Sequence, residues 1–384
     1  MSSSPPVSII VDDGDVDYFT FPSGSVSPSL GNLPFSIFYG STAQRTDPAT
    51  NGTSATFVTI SFNGTKVMLY GNRTSLDSAF DVHIDGAEPI VYEVSTAQGY
   101  GAFFETLPLA DGAHNVTLAN VIDTTVDFAV VSVNATTSLA AARPVIVDDA
   151  DASVAYTGDN WTSMQSMRGG NAYEILDAQA STSALPYQQT THLTTSPGDF
   201  FNFTFAGSAL AVYGMKDFTI LGSLELRFTL DGVPEDTGHA VAAGDAQFLA
   251  GLTQPNFLWY EAPADLAPGV HALGVEVLAC ESLPFVVDYI TFLPSDPSVS
   301  SDVPSTPAGS SSKKGSIAGG VVGGIVFLAL VALLFDCMRR RKRQTRTRFV
   351  YPFQHGMRPR RSAIRLDSIS FPANTDLDAK LRSV

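Results

Sequence analysis

The sequence predicts an all-β exterior of two tandem antiparallel β-sandwiches, followed by one transmembrane α-helix and a disordered tail. Three observations carry this expectation. The long N-terminal part repeats itself; the repeat consists of short runs at strand spacing; and one stretch alone, residues 315–335, is long, apolar and uncharged.

The repeat rests on landmarks in a fixed order. Asp12-Asp13 follows an apolar run and recurs as Asp148-Asp149. Phe62, Gly64 and Tyr70-Gly71 recur as Phe205, Gly207 and Tyr213-Gly214. Asp85-Gly86 recurs as Asp231-Gly232, Gly112 and His114 as Gly269 and His271, and Asp127-Phe128 as Asp288-Tyr289. This places sandwich 1 at 7–133 and sandwich 2 at 144–293, with 134–143 too short to hold them apart. Within each copy, 56–62 and 199–205 alternate apolar and polar residues, as half-buried strands do. Strands at 67–70 and 209–213 are expected after Gly-containing turns. The runs 80–84 and 224–230 end at Asp-Gly, a hairpin dipeptide whose residues tolerate positive φ. Regular strand spacing without helical periodicity indicates an antiparallel sandwich.

At 1.5 Å per residue, 315–335 forms a helix of about 31 Å, the thickness of a bilayer's hydrocarbon core. Arg339, Arg340, Arg341, Lys342 and Arg343 follow it, whereas only Lys313 and Lys314 precede it. Basic flanks stay cytoplasmic, so the N-terminal part is expected outside, on the plasma membrane or another secretory-pathway membrane. Gly315, Gly319 and Gly323 share one helix face and are expected to let two such helices dimerise. Residues 294–314 are rich in Ser and Pro and read as a stalk; 336–384 read as a basic, disordered cytoplasmic tail. The net charge of −16 hides an acidic exterior and a basic tail, which argues against a nucleic-acid partner and for a membrane one. N-glycosylation sequons stand at Asn51, Asn63, Asn72, Asn115, Asn134, Asn160 and Asn202, all before the span. Residues 1–11 hold no secretory signal, so either a leader preceding Met1 or the span itself is expected to direct export. Cys280 is the sole outer cysteine, so no intrachain disulfide is expected there. Cys337 is a palmitoylation candidate, and Ser362, after Arg358, Arg360 and Arg361, a phosphorylation candidate.

The landmark order, the stalk and the Gly-rich span together resemble fungal single-pass surface proteins with tandem galactose-binding-like jelly-roll domains. The resemblance covers most of residues 7–335. It implies jelly rolls of about eight strands that bind carbohydrate through one face or the loop end.

Candidate sites follow, each with its plainer alternative. Trp161, Tyr173, Tyr187, Trp259 and Tyr260 are the aromatics placed to stack on sugar rings, or else to fill buried strands. Asp12, Asp13, Asp127, Asp148, Asp149 and Asp288 supply oxygen ligands for structural calcium, or else cap turns. His114 and His271 lack ligand-spaced partners and read as hydrogen-bonding strand-edge residues. The sequence carries no nucleophile elbow, no zinc-protease motif and no phosphate loop. The expectation is therefore a non-enzymatic, single-pass membrane glycoprotein whose ectodomain binds cell-wall or extracellular glycan in sensing or adhesion. The alternatives are a structural or self-associating surface protein without a ligand, and a glycan-active enzyme.

Overall fold

A computed structural model describes residues 6–21, 38–46, 57–73, 79–93, 99–121, 124–134, 143–165, 183–249 and 251–295. The expected span with Gly315, Gly319 and Gly323, together with Cys337, Ser362, Tyr173, Asn51 and the stalk beyond 295, lies outside the described residues. The chain divides into two compact units, Met1–Ala308 and Gly309–Val384. All that follows concerns the first, which is almost entirely β-strand. Among the described residues no helix is long and apolar enough to cross a membrane.

Alternating sequence makes the sheets. In strand Phe57–Gly64, Val58, Ile60 and Phe62 are buried while Ser61 and Asn63 face out. This strand sits in a five-stranded sheet ordered Phe19–Thr20, Phe57–Gly64, Gly112–Ala119, Phe80–Ile84, Ile90–Tyr92. Opposite lie Gly99–Glu105, Lys66–Arg73, Thr124–Val133 and Val7–Asp12, hydrogen-bonded in that order. The two layers enclose a core that includes Ile9, Ile60, Leu69, Val116, Leu118 and Val131. In the second copy Phe201, Phe203, Phe205, Leu226, Phe228 and Trp259 are among the residues of the equivalent core. Both Asp-Gly pairs have the positive φ that a tight hairpin needs, 53° and 73° in the first copy and 52° and 82° in the second.

One sequence expectation fails. The second copy has no turn between 205 and 209; Phe200–Asp217 is a single long strand. Its first half pairs with Gly269–Glu281 and its second half with Phe285–Pro294 and Thr253–Glu261. The register slips between Gly207 and Ala209, and a side chain on Gly207 would strike the Leu293 carbonyl. Glycine therefore lets the strand bend across layers where the first copy breaks into two strands.

The copies do more than touch. Strand Val7–Asp12 pairs with Thr124–Val133 on one edge and meets Val145–Asp148 on the other, with Ile9 opposite Val145. The Ile10 amide donates to the Pro144 carbonyl at 2.9 Å. Ile9 and Val145 occupy the same place in the repeat, so an approximate two-fold axis passes through this pair. A third core straddles the axis and includes Ile10, Tyr70 and Phe128 with Ile146, Met215 and Tyr289. Each fully buried side chain of this size contributes about 1.5–3 kcal/mol, enough for this core to hold the copies together.

The Tyr-Gly landmark has a steric cause. A methyl group on Gly71 would collide with the Thr125 carbonyl, and one on Gly214 with the Val286 carbonyl and the Trp259 indole. Each glycine sits at a register slip against the closing strand of its own copy. Gly71→Ala and Gly214→Ala should each lower stability by about 1–3 kcal/mol, read as a reduced urea midpoint at unchanged slope. Gly86→Ala, where a methyl meets nothing, should lose stability only through its positive φ.

Candidate functional site

The repeated landmarks converge on the inter-copy junction. The Thr42 hydroxyl lies 3.0 Å from Asp12 Oδ2 and 2.6 Å from Asp13 Oδ1. In the second copy the Thr190 hydroxyl lies 3.2 Å from Asp148 Oδ2 and 2.9 Å from Asp149 Oδ1. Each threonine ends a short 3-10 turn, Tyr39–Ser41 or Tyr187–Gln189. The Tyr39 amide donates to Asp127 Oδ2 at 3.2 Å, and the Tyr187 amide to Asp288 Oδ1 at 2.8 Å. The paired aspartates and the closing-strand aspartate thus lace one turn onto each sheet. Each turn then reaches across the axis: Tyr39 packs on Tyr213 with centroids 5.6 Å apart, and Tyr187 on Tyr70 at 5.8 Å.

A buried polar chain closes the axis. The Tyr100 hydroxyl donates to Asp127 Oδ2. The Asn256 amide reaches the Tyr100 hydroxyl at 2.6 Å and Asp127 Oδ2 at 3.3 Å, and the Tyr289 hydroxyl donates to Asn256 Oδ1 at 2.9 Å. Burial pushes the Asp127 and Asp288 carboxyls well above the usual carboxylate range. Burial also raises Asp148 to about 7 and Asp13 to about 6.

These contacts involve the six aspartates named as calcium candidates. Asp12, Asp13, Asp127, Asp148, Asp149 and Asp288 are engaged by hydroxyl, imidazole and backbone donors; Asp149 also meets His192 Nδ1 at 2.5 Å. Among the described residues no three acidic, histidine or cysteine side chains converge to hold a cation. Of the sugar-stacking candidates, Trp259 and Tyr260 are 2% and 6% exposed, and Tyr187, 4% exposed, lines the cleft described below. The Trp259 indole is committed to the Val286 carbonyl at 2.8 Å. Trp161 is half-buried, packed edge-on to Phe201 and Phe285, its indole donating to the Thr157 carbonyl at 3.2 Å. Of the sequons, Asn63, Asn115, Asn160 and Asn202 are exposed and Asn134 is half-buried. Asn72 is fully enclosed within the fold and cannot present its amide to a glycosyl donor. Cys280 is partly buried, its thiol directed at the Leu283 carbonyl at 3.2 Å.

The landmark histidines have a structural task. His114 bridges Asp85 (2.8 Å) and the Ala110 carbonyl (2.7 Å); His271 bridges Asp231 (2.6 Å) and the Ala267 carbonyl (2.8 Å). They tie each Asp-Gly hairpin to the neighbouring strand.

The junction leaves an open cleft of about 340 Å³ above the first copy's sheet. Alternation puts Lys66, Met68 and Tyr70 on its floor from one strand, with Val130 and Ser132 from the next. The 185–189 segment of the second copy forms a wall, contributing Gln188 and Gln189. Lys66 is ion-paired with Glu105, so the two charges at the rim offset each other. Tyr70 is 1% exposed, stacked on Phe128 at 4.6 Å, and its hydroxyl closes no hydrogen bond. Sequence reasoning marked Tyr70 only as a landmark and missed the cleft, because its wall comes from the other copy. A recurring Tyr-x-x-Thr, Tyr39 to Thr42 and Tyr187 to Thr190, was the available signal for the turns.

Residues 317–350 match the family model of the epidermal growth factor receptor transmembrane–juxtamembrane segment, overlapping the span and basic cluster read from sequence. No curated protein matches the chain. Similar solved structures include a two-domain esterase active on acetylated mannans, with TM-score 0.27, 12% identity, and coverage of 39% of this chain and 36% of that one. A Paenibacillus xanthan lyase has TM-score 0.25 and 14% identity, covering 77% and 27%. A 4-O-methyl-α-glucuronidase with specificity for decorated arabinogalactans has TM-score 0.22 and 15% identity, covering 36% and 18%. The chain spans well under half the length of each.

Two outcomes follow from this geometry. Hydrogen bonds hold His114 (chiefly to the Ala110 carbonyl, then Asp85) and His271 (chiefly to Asp231) above the ordinary histidine value, while burial, then the Lys216 charge, lowers His239 to about 4. The two raised histidines stabilise the fold below about pH 6.5, an effect lost as pH rises through their folded values; Asp85 and Asp231, lowered, contribute above about pH 3.8. His239 acts oppositely, costing stability as pH falls from about 6.5 to 4. The imidazole resonances of His114 and His271 should titrate above 6.5 and that of His239 near 4. Peptide mapping of the glycosylated chain should find Asn72 unmodified and glycan confined to the exposed sequons.

Proposed function

We propose that the chain is a single-pass surface protein whose paired sandwiches bind extracellular glycan in the cleft above the inter-copy junction. The observation that carries this reading is the cleft itself: a floor that sets Met68, Tyr70 and Val130 beside Lys66 and Ser132, a glutamine wall, and a volume at the lower end of the ~300–1,000 Å³ range of small-ligand sites. A sugar ring offers the matching surface, apolar C–H faces with hydroxyls at the edge. The acidic exterior, the exposed sequons and the basic flank after 335 support a cell-surface setting with the tail inside. Binding without turnover is the activity proposed. Two associations outside the described residues complete the reading: helix pairing through Gly315, Gly319 and Gly323, and tail contact with anionic lipid.

A second reading, a rigid spacer without a ligand, draws on the shared third core, which makes the two copies one body. The full chain in lipid nanodiscs, applied to a glycan array, separates the two. The binding reading predicts retention on a defined glycan set and at least a tenfold loss for Ser132→Trp, which fills the cleft. Absence of binding to every glycan supports the spacer, and release of a shortened product from a bound glycan would overturn binding without turnover.

A further inference from the structure

Resting on the glycan-binding reading, we infer that Gln188 is the specificity-determining residue of the cleft, its carboxamide hydrogen-bonding to ring hydroxyls of the bound glycan. The first observation is its backbone. Gln188 has φ 48° and ψ 13°, the left-handed region in which a Cβ crowds the following carbonyl. Glycine adopts this conformation without that penalty. The first copy does use glycine: Tyr39-Gly40-Ser41-Thr42 answers Tyr187-Gln188-Gln189-Thr190, and Gly40 has φ 59° and ψ 0°. There Asp12 adds a second demand, since a Cβ on Gly40 would stand 2.9 Å from its Oδ1. Ser41 and Gln189 have φ of 67° and 63°, so the next position is left-handed in both copies and sets neither apart. Only the first position changes, from glycine to a long polar side chain.

The second observation is how little the fold uses that side chain. Gln188 is exposed and lines the cleft. Its carboxamide approaches the Tyr187 hydroxyl, which Ser8 also approaches. A carboxamide carries two N–H donors and an oxygen with two lone pairs, so one such contact leaves most of its capacity open. An exposed side chain returns little packing for the backbone it strains. Strain of this kind persists where the group serves a function.

The floor beneath diverges from its mate in the same sense. Lys66 lies opposite Ser132 where Ala209 lies opposite Leu293. Glu105 opposite Met68 is matched by Glu261 opposite Ala211, so the acid is common to both sides. Lys66 is held by Glu105, and Tyr70 and Tyr187 are enclosed. Gln188 stands exposed beside them. Adjacent hydroxyls of a sugar ring each donate and accept, and a carboxamide pairs with both at once. Glucose, mannose and galactose differ in the orientation of one hydroxyl. A site that hydrogen-bonds one arrangement rejects another, because a polar group is then left unpaired.

The full chain in lipid nanodiscs, applied to a glycan array that includes hexasaccharides of glucose, mannose and galactose, tests this with Gln188→Gly and Gln188→Ala. Both variants remove the carboxamide. Glycine also relieves the backbone and alanine keeps it strained, which separates loss of the side chain from loosening of the turn. Both should weaken retention on the preferred glycan by about 5- to 20-fold, as the loss of one or two neutral hydrogen bonds does. Both should also narrow its lead over the epimeric glycans. The melting temperature of Gln188→Gly should be unchanged or higher. A lower melting temperature in Gln188→Gly would show that the residue serves the turn instead. That result, unaltered retention, a loss in Gln188→Gly alone, or equal loss on every glycan would overturn the inference while leaving glycan binding standing. Retention of the wild-type chain on no array glycan would remove both.

Discussion

The structure depends on one strand edge meeting another. Val7–Asp12 would otherwise present unpaired amides and carbonyls, and Val145–Asp148 would do the same. Their meeting at Ile9 and Val145 joins the two sheets into one and pairs part of each edge. Because the meeting residues are repeat-equivalent, each copy offers the other the same surface it receives. The reciprocal tyrosine contacts, Tyr39 on Tyr213 and Tyr187 on Tyr70, are the visible result. The contact has the isologous form of a symmetric dimer, here within one chain.

Symmetry alone gives a scaffold, and its breakdown gives a site. At the axis, Tyr100 and Asn256 hold equivalent places but different chemistries, and they bond to each other with Asp127. Enclosure raises the Asp127 carboxyl, and the hydrogen bonds it accepts from Tyr100 and Asn256 offset part of the cost of burying it. Farther out, the same positions carry Lys66 and Ser132 on one side and Ala209 and Leu293 on the other. Divergence of lining on a fixed register is how a duplicated fold acquires one polar cleft without altering its packing.

Much of this was legible in the sequence, for reasons that can be named. Alternation in 56–62 and the Asp-Gly dipeptides revealed strands and hairpins because those features act locally. The repeat was legible because Gly71 and Gly214, or His114 and His271, answer the same steric and hydrogen-bonding demand twice. The aspartates were seen with two readings, calcium ligands or turn caps, since sequence shows carboxylates and not the Thr42 and Thr190 hydroxyls that meet them. Trp259 and Tyr260 stayed open between sugar platform and buried strand because an aromatic pair in a strand looks alike from either face. The cleft was invisible because Tyr70 and Gln188 meet only through the pairing of two distant strand edges.

The claim on which the rest stands is that the two copies open as one body. Native-state hydrogen exchange of the chain measures it directly. Amides of Val7–Asp12, Val145–Asp148 and the turn Tyr187–Gln189 should share the opening free energy of the Phe128 and Tyr289 strands, as a single cooperative unit. Junction amides that exchange as freely as loop amides, while each sandwich core stays protected on its own, would contradict it.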